Sequence, residues 1–192
     1  MDRTRLRKPT TAETHALAVI VAGNFSNFKC LFLVTKIMDK EITKDSVFIE
    51  TTIHASVEKV WEAWTEPSVI MKWFGSDPKG EVLSAKLDVR PRGSFEVTFK
   101  DSDQTEHTCN GIYNEIEKLS KLTFTWHWKS EPSVESFIVL LLTEEGKSTK
   151  MQFEHMNFGS GSKHNYVKGW ESTFLKLEQL LGGNQTRTFI NE

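Results

Sequence analysis

Five polar side chains in this sequence have a chance of facing an enclosed apolar space: His107, Tyr113, His127, His155 and Tyr166. An imidazole titrates near neutrality, and a positioned phenol can give or take a proton, so each is a candidate acid or base. Tyr113, His155 and Tyr166 share strand or helix faces with apolar neighbours, where burial requires a hydrogen-bond partner. A histidine in that setting is more often a hydrogen-bonded core residue than a catalyst. No nucleophile, base and orienting group fall together in a readable set. Gly159-Ser160-Gly161-Ser162-Lys163 has the composition of a phosphate loop without its spacing, and does not follow the kind of strand that a nucleophile elbow needs. It reads as a cap and hinge. Cys30 and Cys109 form no CxxC pair, and the His and Cys spacings suggest no zinc site. Catalytic residues, a metal and a cofactor are therefore not assigned.

Binding chemistry is better supplied than catalytic chemistry. Aromatic residues make up 11% of the chain and include six Trp, a load that a core or a cavity must absorb. Alternation along the chain places many of them on common faces. Phe95, Val97 and Phe99 share one side of a strand, as do Leu122, Phe124, Trp126 and Trp128, and Met151, Phe153 and His155. Tyr166, Trp170, Phe174, Leu177 and Leu181 recur at helical spacing, with Val167 and Leu180 beside that line and Lys168, Glu171, Ser172, Lys176 and Glu178 opposite. So many large rings are hard to pack solid.

The elements that would position these groups read as follows. Val47–His54 is a strand with Val47, Ile49, Thr51 and Ile53 inward. Ser56 caps a helix bearing Val60, Trp61 and Trp64, and Thr65 caps a second, with Pro67 in its first turn, that presents Ile70, Trp73 and Phe74 and ends at Gly75. From Glu81 period two takes over: Leu83, Ala85 and Leu87 inward, the turn Pro91-Arg92-Gly93, then strands over 94–100, 107–114, 122–128, 134–143 and 149–155 joined by short turns. The nearly continuous apolar run from Val134 to Thr143 predicts a strand covered on both faces. Short connections mean antiparallel neighbours. The last helix, Lys163 to Leu181, is capped by Ser160 or Ser162 and stopped at Gly182-Gly183. The mid-helix Gly169 is expected to allow close packing on a strand or on Trp73, rather than to thin the helix wall over a pocket mouth. The expected fold class is α+β: a curved antiparallel sheet of six to seven strands gripping a long C-terminal helix, with two short helices after the first strand. Helix and sheet held apart by large rings leave a space for a guest. Its expected lining is Trp73, Phe95, Phe99, Tyr113, Phe124, Trp126, Met151, Phe153, His155, Tyr166, Trp170 and Phe174.

Several local signatures occur in this order. They are Val60-Trp61-Glu62-Ala63-Trp64-Thr65-Glu66-Pro67 with Lys72-Trp73-Phe74-Gly75, Arg90-Pro91-Arg92-Gly93-Ser94-Phe95, Gly111-Ile112-Tyr113 with Leu122-Thr123-Phe124-Thr125-Trp126, and Gly169-Trp170. Together they resemble the START-like helix-grip superfamily (SRPBCC), in the branch named for the activator of the 90-kDa heat-shock protein ATPase (AHSA-type). Pro91-Arg92 departs from the small residues usual there. The resemblance covers about residues 46 to 183. It implies three functions: a carrier of a hydrophobic ligand, a co-chaperone stimulating the 90-kDa heat-shock chaperone, or a polyketide cyclase or hydrolase. The co-chaperone that names the branch has a separate chaperone-binding domain, and residues 1–45 are too few for one. We therefore expect non-enzymatic binding of a small apolar or aromatic molecule, with the chaperone as alternative partner.

Bulk properties agree with this. A net charge of −2 and a pI near 6.3 give no reason to expect a nucleic-acid partner. No apolar run is long enough to span a bilayer. Residues 1–45, basic at the start with apolar runs at Ala16–Gly23 and Leu31–Val34, lack the features of a leader and read as a poorly ordered extension; 184–192 reads as a tail. Two reduced thiols suit a cytoplasmic protein, monomeric or homodimeric.

Overall fold

The computed structural model describes residues 45–159, 164–182 and 187–189, all within the unit Ile42–Glu192. The expected 1–45 extension lies, apart from its last residue, outside the described residues. Strand β1 (Ser46–Ile53) is followed by helices α1 (Val57–Thr65) and α2 (Pro67–Ile70). Then come β2 (Glu81–Leu87), β3 (Ser94–Lys100), β4 (Glu106–Glu117), β5 (Lys121–Trp128), β6 (Glu131–Glu145) and β7 (Ser148–Met156). Helix α3 (Tyr166–Leu181) and the three-residue β8 (Arg187–Phe189) close the order. The predicted α+β helix-grip architecture is what forms.

One sheet holds every strand in the order β2-β3-β4-β5-β6-β7-β1-β8, and every neighbouring pair is antiparallel. Short hairpins join β2 through β7. The first strand instead crosses to the far side, with Ser46 opposite Met156 and Ile53 opposite Thr149. Alternation decides which side chains enter the core: β1 and β7 alternate strictly, burying Val47, Ile49, Thr51 and Ile53 from one and Thr149, Met151, Phe153 and His155 from the other.

Several local expectations are corrected. In β2 a register shift between Val82 and Ser84 turns Leu83 outward, 40% exposed, and Val82 packs on the core with Ala85 and Leu87. In β6 Ile138, Leu140 and Leu142 are buried but Phe137, Val139 and Leu141 are only half-buried, because helices cover one face of the sheet alone. Thr65 belongs to α1, where its hydroxyl donates to the Trp61 carbonyl at 2.8 Å, and Glu66 stands at the start of α2. Helix α3 starts at Tyr166, capped by Asn165, whose Oδ1 accepts from the Lys168 amide at 3.1 Å; Asn reaches the third amide of the first turn as well as Ser does. Ser160 and Ser162 lie outside the described residues. Ser56 does stand at the start of α1, but its hydroxyl makes no capping bond. Glu178, expected on the wet face of α3, is buried. Gly182 ends the helix at φ +85°, in the left-handed region that glycine tolerates.

Two tryptophans fill half of the bowl. Trp64 from α1 and Trp73 from the turn after α2 meet edge to face at 5.1 Å, and Trp64 stacks on Phe153 at 5.9 Å and abuts Phe174 at 6.0 Å. The Trp73 indole donates to the Ala63 carbonyl at 2.9 Å, which pins the turn to α1.

Candidate functional site

The other half of the bowl is open. A cavity of about 490 Å³ lies between the first turns of α3 and the end of the sheet formed by β3, β4 and β5. Its floor comes from residues at strand ends: Phe99 on β3, His107 on β4, Trp126 and Trp128 on β5. Its roof is Tyr166, Gly169, Trp170 and Thr173 from one side of α3, and its wall is the turn from Phe74 to Pro78. The volume is that of a pocket for a small organic molecule. Ring contacts hold the shape: Phe74 against Phe99 at 5.8 Å, Trp126 against Trp170 at 5.4 Å, and Trp128 stacked on His164 at 4.3 Å.

The rim is tied by polar contacts. Asp77 accepts from the Ser102 amide and hydroxyl at 2.8 and 2.6 Å and from the Lys79 amide at 2.7 Å. Those bonds, led by the Ser102 hydroxyl, hold its carboxyl down at about 2. Lys176 crosses from α3 and donates to the carbonyls of Phe74 and Asp77 at 3.1 and 3.0 Å; burial lowers its pKa, against the pull of Asp77 and Asp101. The Asp77 carbonyl also accepts from the Gly80 amide at 3.1 Å, so Lys176→Met is expected to strand the Phe74 carbonyl and destabilise the fold by about 1–2 kcal/mol in urea denaturation.

Behind the roof runs a closed hydrogen-bond chain. The Trp170 indole donates to His155 Nδ1 at 3.0 Å, His155 Nε2 meets Ser136 Oγ at 2.7 Å, and Ser136 Oγ donates to the Trp126 carbonyl at 3.1 Å. Since the Ser136 proton goes to Trp126, His155 must carry its own on Nε2 and be neutral. Burial drives its pKa down to about 3. Both ring nitrogens are engaged, so His155 fastens α3 to β7, β6 and β5 and has no nitrogen left for a substrate. Tyr166 packs edge to face on it at 4.6 Å and stacks on Phe158 at 4.2 Å.

Of the twelve residues expected to line a binding space, Phe99, Trp126, Tyr166 and Trp170 surround this cavity. Phe95, Tyr113 and Phe124 border, again with Trp126, a void of about 20 Å³. Trp73, Met151, Phe153, His155 and Phe174 are packed in the core. Burial raises the Tyr113 hydroxyl and the Cys109 thiol well above their ordinary ranges, so neither ionises near neutrality. Cys30 lies outside the described residues. His107 does line the cavity, whereas His127 faces away and meets Glu135 at 3.0 Å. Phe74, Ser76, Asp101, His164, Lys168 and Ser172 line it without having been expected to. Phe74, Ser76, Asp101 and His164 sit in turns, where periodicity carries no signal, whereas Lys168 and Ser172, expected on the wet face of α3, border the cavity because that face does not look only into solvent. Gly169 is corrected too. A β-carbon there would come no nearer than 3.8 Å to Ser76, an ordinary contact, so close packing does not explain the glycine; it borders the cavity instead.

Residues 54–182 match the family described as "Activator of Hsp90 ATPase homolog 1-like protein". The chain belongs to that family. Solved structures share the AHSA1-like fold. CalU16 from Micromonospora echinospora is 27% identical with a TM-score of 0.55, covering 71% of this chain and 76% of its own. A protein of Nitrosomonas europaea is 22% identical with a TM-score of 0.63, covering 73% and 96%. The AHSA1-like protein from Aeromonas hydrophila is 17% identical with a TM-score of 0.57, covering 69% and 90%. No curated protein matches the sequence. Among the described residues of this AHSA1 family member, no helix is long and apolar enough to cross a membrane.

Proposed function

We propose that this AHSA1 family domain binds a small aromatic or apolar molecule, without transforming it, in the cavity between the sheet and the first turns of α3. The observation that carries this reading is the cavity itself: about 490 Å³, walled by Phe74, Phe99, Trp126, Trp128 and Trp170. A two-ring aromatic burying about 300 Å² of apolar surface would gain roughly 7 kcal/mol before entropic losses, which allows micromolar binding. The engaged state of His155 argues against its use in catalysis. A cytoplasmic location accords with this reading. Native mass spectrometry and a thermal-shift panel of lipids and aromatics test it. A retained or added mass with a raised melting temperature is expected; no bound species and no shift with any compound would overturn it.

Gly169 supplies a sharper test. Gly169→Ala has room for its methyl and is expected to stabilise the helix by up to about 1 kcal/mol. Gly169→Leu projects into the cavity from the roof and is expected to abolish ligand-induced thermal shift while the protein stays folded by circular dichroism. Unchanged shifts in the leucine variant would place the guest elsewhere.

The family's description supports a second reading, stimulation of the 90-kDa chaperone ATPase. An ATPase assay with purified chaperone distinguishes the two: no stimulation and no co-purification would remove it.

A further inference from the structure

The residue just before the cap of α3 ties the helix to the sheet. The His164 ring stacks on Trp128 of β5, with centroids 4.3 Å apart and planes 20° from parallel, and its Nε2 lies 4.0 Å from Glu131 Oε1 at the start of β6. A second imidazole stands beside it. His107 of β4 is 6.3 Å away, centroid to centroid, and its Nε2 is 3.0 Å from Asp101 Oδ2. Around His164 therefore stand Glu131 from β6, His107 from β4 with Asp101 behind it, and Tyr166 and Lys168 from α3. Each imidazole side chain is 24% exposed, so protons reach both from solvent, unlike the sealed His155.

A proton on His164 is poorly placed in this cluster. Burial strips water from the cation, and the charge would sit at the amino end of α3, where the first-turn amides already carry partial positive charge. Glu131 and the face of Trp128 pull the other way. Burial prevails: it holds the His164 pKa below the ordinary 6.5, with His107 adding to it against Glu131. An unseated His164 thus takes the proton first as pH falls. Seating is favoured in full above about pH 6.5 and loses ground below it, by up to about tenfold per pH unit. The roof of the cavity, Tyr166, Gly169 and Trp170, begins two residues further along the chain.

We propose that His164 is an acid-sensitive latch: seated on Trp128 it holds the first turn of α3 over the cavity, and its protonation frees that turn and the bound molecule beneath it. His155 keeps its hold on Trp170 one turn further on, so the opening is local. This rests on the ligand-binding reading above and adds its regulation.

Hydrogen exchange on the full chain reads the latch without any ligand. The Lys168 and Gly169 amides donate to Asn165 Oδ1 and to the Asn165 carbonyl at 3.1 and 2.9 Å, and so report on the first turn. Their protection, relative to an unstructured chain at the same pH, is expected to fall at least about threefold between about pH 7.5 and about pH 5.5. His164→Phe keeps a ring on Trp128 and takes no proton, so it should abolish that fall; His164→Gln serves if the first variant misfolds. His164→Lys carries its charge throughout and should already be weakly protected at the upper pH. Constant protection in the parent, or an equal fall in the variants that cannot take the proton, would overturn the inference. Stopped-flow release of the neutral probe N-phenyl-1-naphthylamine should quicken over the same range in the parent and not in His164→Phe. A bound probe whose release ignores pH would overturn the inference and leave the ligand-binding reading standing. Acid-dependent protection with no probe bound would support the latch on α3 and count against the ligand-binding reading.

Discussion

Gly111→Ala is expected to destabilise the domain by about 3 kcal/mol or more, lowering the melting temperature by roughly 10 °C, or to yield insoluble protein. A β-carbon at this position would lie 1.9 Å from the Thr125 carbonyl oxygen and 2.7 Å from Phe95 Cε1. A backbone oxygen in a central ladder cannot step aside, so the strand pair itself would have to separate. The crowding belongs to the bend of the sheet. Between β4 and β5 the register shifts near Tyr113 and Glu115, and side-chain hydroxyls stand in for ladder carbonyls: Thr125 Oγ1 accepts from the Ile112 amide and Thr123 Oγ1 from the Glu115 amide, both at 3.0 Å. Gly111 lets the two backbones close on each other just where this substitution begins. Urea denaturation of Gly111→Ala beside Gly169→Ala checks the reasoning, since the same chemical change should have opposite signs at the two sites. A Gly111→Ala protein as stable as the parent would mean that the two strands are not so close.

The second large effect is at His155. His155→Ala is expected to destabilise by about 3–5 kcal/mol: it opens a void in the core and leaves the Trp170 N–H buried without its acceptor. The pH dependence separates this from simple loss of volume. The folded-state pKa of about 3 lies below the ordinary 6.5, so the unfolded chain takes up the proton first as pH falls. The contribution of His155 is complete above about pH 6.5 and is lost on the way down to about pH 3, at up to about 1.4 kcal/mol per pH unit. Stability measured by urea at several values across that window should fall more steeply for the parent than for His155→Ala. Parallel curves would show that the imidazole is not held neutral.

Much of the fold was legible because alternation carries it. Phe95, Val97 and Phe99, or Met151, Phe153 and His155, declare their shared face by spacing alone, and short turns between such runs leave antiparallel pairing as the simplest arrangement. What spacing cannot show is an interruption of spacing: the shift at Val82 to Ser84 moved Leu83 outward, and nothing in the residue types announces it. Capping was ambiguous for a related reason, since Ser160, Ser162 and Asn165 all have side chains able to cap, and only the backbone path chooses among them. The candidate site was half legible. The sheet's aromatic face was read as a single floor, but Trp64 and Trp73 press down on the part near Phe153 and Phe174 and fill it. Only the end near Phe99, Trp126 and Trp170 stays open. The polar members of the lining, Asp101 and Ser172 among them, lie far apart in the chain and meet only when β3 and α3 are brought together.

The crossing of β1 has a consequence for how the domain comes into being. Its partner β7 lies about a hundred residues further along, so a ribosome releases β1, α1 and α2 long before anything exists for that strand to pair with. Strands β2 to β7 can zip as successive neighbours while synthesis proceeds, whereas β1 must wait, its edge bare, until Ser148–Met156 emerges. The joining of β1 to β7, and with it the seating of Trp64 beneath α3, is then expected to be the slow event of maturation. A chain cut short before residue 148 should expose that edge to other chains and aggregate.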